Sequence, residues 1–189
     1  LDFDSGWVSK SEASKARGLV HALAAYLRER QAAGAEVVGI EQGFQLRVDN
    51  IVVNGLVDRI ERSADGGLVV VDLKTGKAIT NAEEIASHPQ LQAYQLALAD
   101  PATREAWEVE GPSEGAWLLY VSGGVRGKPF RVAAQEPLGE EGIQQGLERI
   151  RSAGAHMAQA RFMGPRFFPV AGRSVSRHRW QRVGSVCGD

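Results

Sequence analysis

Two aspartates and a lysine carry the chemistry that this sequence suggests first. Asp72 and Lys74 lie two residues apart in the apolar run from Leu68 to Lys74. Strand side chains alternate between faces, so the two point the same way, while Val71 and Leu73 point toward a second apolar layer. Asp58 lies on the run before it, and a turn centred near Asp65-Gly66 brings position 58 close to 72–74 across a hairpin. Two neighbouring carboxylates repel and need compensation. A hard divalent cation such as Mg²⁺ supplies it, because it prefers oxygen ligands and keeps several waters. Such an ion polarises phosphate and makes its water a better nucleophile. Lys74 would then orient or deprotonate that water and stabilise charge building on phosphorus. Taken alone, Asp-x-Lys reads more readily as a surface ion pair contributing about 0–1 kcal/mol.

The elements that must position these residues are legible from periodicity. Residues 9–33 read as a helix: Ser9 and Glu12 have capping-box spacing, Leu19, Leu23 and Leu27 make an apolar face, and Gly34 stops it. From Glu36 the period becomes two. Val37–Ile40, Phe44–Val48 and Ile51–Glu61 are expected strands, with Asp49-Asn50 and Ser63–Gly67 as turns. Gly55, inside a strand, marks a bulge or a close approach. Asn81 and Glu84 again have capping-box spacing, so a short helical turn is expected there. Pro89 suits the first turn of a helix reaching Ala99. The polar stretch from Pro101 to Gly115 reads as a loop. Trp117–Val121 is a short strand, Pro129–Val132 an edge strand, and Glu140 to about Ala160 a helix. Short links imply antiparallel neighbours, and a strand after a helix can return parallel by a right-handed crossover. The expected fold is a central mixed β-sheet flanked by helices, in the α/β or α+β class.

Composition sets the frame. At 189 residues the chain is expected to form one domain, 1–189. Its 43% apolar content suffices for a core, and no apolar run approaches the roughly 20 residues that cross a bilayer. The start is acidic, unlike a signal peptide, and lacks Met, so a piece of a longer polypeptide is expected. Cys187 is the single cysteine, which argues against a thiolate zinc or iron–sulfur site and fits a reducing compartment. Net charge is −1, but 161–189 is a basic C-terminal segment holding six arginines and no acid before Asp189. It attracts phosphates or is simply a solvated tail.

The motif set resembles the RecB-type nuclease domains of the PD-(D/E)XK superfamily, as in AddAB- and AdnAB-type helicase–nucleases. The carriers are Gly55–Arg59 for Gly-x-x-Asp-Arg, Asp72–Gly76 for Asp-Leu-Lys-Thr-Gly, Gln90–Tyr94 for Gln-Leu-x-x-Tyr, and Gly18–His21 for Gly-x-x-His. Motifs cover about residues 15–100. The resemblance implies a restriction-endonuclease-like fold, with His21, Asp58, Asp72 and the Leu73 carbonyl as metal ligands for Mg²⁺ or Mn²⁺. It implies Lys74 as the catalytic lysine, and Gln90 and Tyr94 as DNA contacts or braces of the site. Read without it, His21 is an ordinary helix histidine, Tyr94 a core residue and Gln90 a solvated one. Arg59 and Lys77 either touch DNA or are solvated, and Glu41 either joins the site or lies on the surface.

Many relatives carry four cysteines that hold an iron–sulfur cluster. Phe168–Ser174 resembles the approach to that cluster, yet only Cys187 follows, so no cluster is expected. The resemblance implies a cytoplasmic deoxyribonuclease, an exonuclease rather than an endonuclease. It would be paired with a helicase domain or subunit in DNA repair, and would take single-stranded DNA. The rival readings are a catalytically silent nucleic-acid-binding or scaffold module, and an interaction domain that binds no nucleic acid.

Overall fold

A computed structural model describes residues 5–159. Helix α1 (Ser5–Ala32) leads into three consecutive antiparallel strands, β1 (Glu36–Val48), β2 (Ile51–Arg62) and β3 (Leu68–Lys74). Three helices follow: α2 (Ala82–Ala86), α3 (Pro89–Ala99) and α4 (Pro101–Trp107). They carry the chain back so that β4 (Ser113–Tyr120) lies parallel to β3. β5 (Arg131–Gln135) pairs antiparallel outside β4, and α5 (Glu140–Gln159) closes the described chain. Strand order in the sheet is therefore chain order, β1-β2-β3-β4-β5. The expected mixed sheet flanked by helices is the fold observed. The basic segment 161–189 lies outside the described residues.

Strand β3 is buried on both faces, as its run of branched residues requires. Leu68 and Val70 face a core shared with α3, whereas Val69 and Val71 pack with Ala22 and Tyr26 of α1. Even positions therefore look toward α3 and odd positions toward α1. That parity carries Asp72 and Lys74 to the α3 side.

Gly55 explains how α3 is braced. A Cβ there would fall 2.2 Å from the Phe44 ring, so glycine lets that ring lie flat across β2. Phe44 in turn meets Tyr94 of α3 and Trp107 of α4 edge to face, at 6.2 and 6.3 Å. The Trp107 indole donates to the Gly43 carbonyl at 2.8 Å, fastening α4 to β1.

Helix α1 starts at Ser5 rather than 9 and β4 at Ser113 rather than Trp117, and three further boundaries differ from the sequence reading. The stretch after Pro101 holds a helix, because Asp100 caps it by accepting from the Thr103 amide at 2.8 Å and Pro101 suits its first turn. The edge strand sits at Arg131–Gln135 rather than 129–132, since a tight bridge between Val125 and Lys128 delays it. The two apolar runs before Asp49 form one strand, kinked at Glu41, whose φ is +49°. The Asn81 cap is as expected: its side chain accepts from the amides of Glu83 and Glu84.

Candidate active site

The kink at Glu41 bears directly on Asp58. Cα partners pass from Ile40–Arg59 to Gln42–Val57, leaving Glu41 and Asp58 out of the β1–β2 pairing. Val57 and Ile60 both reach the α3-side core, so the alternation of β2 changes phase across Asp58 and Arg59. The β2–β3 ladder likewise stops at Arg59–Val71, one step short of Asp58. Released from both ladders, the Asp58 carboxylate takes the Leu73 N–H itself, at 2.7 Å. Lys74 gives its carbonyl to Val121 of the β4 side. Neighbouring strand residues point their polar groups to opposite edges, so the Leu73 N–H and C=O both leave β3 on the Asp58 side.

Asp72 is buried, with 3% of its surface exposed, which excludes the surface ion pair. Burying a carboxylate is costly unless it is paired and hydrogen-bonded. Here Oδ1 accepts from the Tyr94 hydroxyl at 2.7 Å and from Gln90 Nε2 at 2.9 Å. Oδ2 lies 2.6 Å from Lys74 Nζ yet has no hydrogen-bond partner. The Gln90 amide is used at both ends: Oε1 accepts from Lys74 Nζ at 3.0 Å, and Nε2 also donates to the Tyr94 hydroxyl at 2.6 Å. Gln90 and Tyr94 stand four residues apart on α3, hence on one face. Burial pushes the Tyr94 hydroxyl pKa up, and its bond to Asp72 and the charge of Asp58 push the same way. Tyr94 therefore stays a protonated donor. The influence of Asp58 on it also puts both carboxylates in one electrostatic neighbourhood.

Other expected residues fall elsewhere. His21 is exposed on α1. Among the described residues, no three His, Cys, Asp or Glu side chains gather as a metal-holding group. Lys77 is exposed. Arg59 is turned to the α1 side, its Nε 2.5 Å from Glu61 Oε1. Glu41 is exposed at the kink.

Two residues that sequence reasoning passed over belong near the site. His88, the residue before Pro89, has a buried Nδ1 with no hydrogen-bond partner. Burial lowers its pKa, the Lys74 charge lowers it further, and Asp72 and Glu84 oppose the shift. Glu61 is fully buried and binds Arg30 Nε at 2.6 Å, Arg59 and the Tyr26 hydroxyl at 3.1 Å. It ties α1 to β2 three residues beyond Asp58. A glutamate in an alternating strand gives no sign of burial until its arginine partners are known.

Residues 1–168 match the family model of the PD-(D/E)XK nuclease superfamily. The chain belongs to that superfamily. This PD-(D/E)XK domain is 37% identical over 97 residues to an ATP-dependent helicase/deoxyribonuclease subunit of Streptococcus agalactiae, in strains of serotypes Ia, V and III. The match takes in 49% of this domain and 8% of the length of each of those relatives. A solved structure, the crystal structure of SSO0001, is similar at 20% identity. It covers 71% of this domain and 58% of its own chain with a TM-score of 0.36. As a superfamily member the domain is a nuclease module, and PD-(D/E)XK nucleases generally use divalent metals such as Mg²⁺. Among its described residues no helix is long and apolar enough to cross a membrane.

Proposed function

We propose that this domain is a metal-dependent deoxyribonuclease and the nuclease module of a cytoplasmic DNA-repair helicase–nuclease. We take its mode to be exonucleolytic and its substrate single-stranded DNA. The observation that carries the reading is the buried Asp72 carboxylate, its Oδ2 2.6 Å from Lys74 Nζ and one strand from Asp58.

The donors suit Mg²⁺ or Mn²⁺. They are oxygens on two adjacent strands, few enough to leave room for water, as a small hard cation requires. Asp58, Asp72 and the Leu73 carbonyl would hold the ion. When bound, the ion polarises a phosphate oxygen and acidifies water. Lys74 would hold the attacking water through one N–H and offer another to a phosphate oxygen, while Gln90 keeps the ammonium in place. Tyr94 and Gln90 hold Oδ1, so the Asp72 carboxylate is fixed in orientation, with Oδ2 on the Lys74 side. No iron–sulfur cluster enters this scheme.

A labelled single-stranded oligonucleotide with Mg²⁺ or Mn²⁺ tests it. Asp72→Ala and Lys74→Ala are each expected to slow cleavage by roughly 10²-fold or more, the usual scale of a lost proton-transfer or charge-stabilising group. Both variants cutting as well as the unaltered chain would sink the assignment. Binding of DNA without cutting by any form would favour the silent module.

A further inference from the structure

A groove of about 390 Å³ lies between α1 and the β4–β5 end of the sheet, on the face away from the Asp72 side chain. Its walls carry Arg30, Arg126, Lys128 and Arg131 against the single acid Glu29, with Trp117 and Phe130 as aromatic surface. The acids nearby are already engaged. Glu29 binds Lys128 at 2.6 Å, and Glu61 is shared by Arg30 and Arg59. Arg126 and Arg131 have no acidic partner among the described residues, so the groove keeps an excess of positive charge. Arg30 is held over the Trp117 ring at 4.8 Å, and its Nη2 has no acceptor. Guanidinium and indole stack into one rigid, flat wall, with the guanidinium largely buried.

The excess of positive charge calls for a polyanionic occupant, and the planar surface favours one with planar groups over an acidic peptide. We propose that this groove binds single-stranded nucleic acid, with Arg126 and Arg131 on phosphates and a base stacked against the Trp117 wall. It would hold a stretch of strand apart from the scissile phosphate, and this rests on the nuclease reading for its substrate.

The test measures binding of a fluorescent oligothymidylate to the whole chain in EDTA, over a series of salt concentrations. An Arg126→Gln/Arg131→Gln double variant is compared with Arg47→Gln, a change at an exposed β1 position away from both sites, each checked for an unchanged melting temperature. The expected result is roughly tenfold weaker binding by the double variant alone. Its log–log salt slope should be shallower by about 1.4, the contribution of two phosphate contacts on a single strand. Quenching of intrinsic fluorescence by the unlabelled oligonucleotide should be lost in Trp117→Phe. Unchanged affinity and slope in the double variant would overturn the proposal, as would displacement of the oligonucleotide by polyglutamate at equal charge concentration. Failure of the nuclease reading is read separately, as absence of cleavage in Mg²⁺ while the groove variant still loses binding.

Discussion

The Tyr94 hydroxyl donates to Oδ1 of Asp72 at 2.7 Å while Oδ2 of the same carboxylate accepts no hydrogen bond. One oxygen is anchored to α3 and the other is buried 2.6 Å from the Lys74 ammonium. The anchor is itself braced on that same face of the sheet by the Phe44 ring that glycine at position 55 admits.

Tyr94→Phe keeps the ring and its contact with Phe44 but removes the donor. Gln90 still reaches Oδ1, so the carboxylate is weakened rather than orphaned. Equilibrium urea unfolding should report a loss of about 1–2 kcal/mol. Stability equal to that of the unaltered chain would mean that the hydrogen bond carries no net weight.

Metal linkage provides a readout independent of catalysis. With Mn²⁺ at about 100 times its dissociation constant, binding to the folded state adds about 2.7 kcal/mol, seen as a raised melting temperature that EDTA reverses. Asp58→Asn and Asp72→Asn should abolish the rise, and His21→Ala should keep it. Loss of the rise in His21→Ala would bring that histidine into the ligand set.

Glu61→Ala leaves Arg30 and Arg59 partly buried without their acid. Removing one partner of a buried charge cluster costs about 3–5 kcal/mol. Denaturant unfolding should show this loss, with Tyr26→Phe costing only about 1 kcal/mol. A cost below that of Tyr26→Phe would mean that the cluster does not secure α1.

His88 makes stability depend on pH. Its folded pKa lies below the ordinary histidine value, so the unfolded chain takes up a proton first as pH falls. Stability should thus be full above the unfolded value of about 6.5 and decline as pH drops from there toward the folded value. Melting curves between pH 7.5 and 5 should show the decline, and His88→Gln should flatten it. Identical slopes for the two proteins would remove His88 as the cause.

The sheet and the residue types of the site were legible from the sequence because both rest on short-range pattern. Alternation in Leu68–Lys74 placed Asp72 and Lys74 on one face, and four-residue spacing placed Gln90 beneath Tyr94. What escaped depends on partners distant in the chain. Helix α4 hid in a polar window although Asp100-Pro101 with Thr103 was a start signal. The phase change at Asp58 follows from a left-handed Glu41, which no residue-type rule anticipates. Glu61 becomes a core residue only when Arg30 arrives from α1, 31 positions away. His21, singled out by motif, lies exposed on α1.

Strands that lie side by side in the order of synthesis have a temporal consequence. The hairpin bearing Asp58 and Asp72 can pair from contacts fewer than twenty residues apart, before the crossover helices exist as chain. Gln90 and Tyr94 reach Asp72 only when α3 docks, so the pocket is completed by the closing of the crossover rather than by the growth of the sheet.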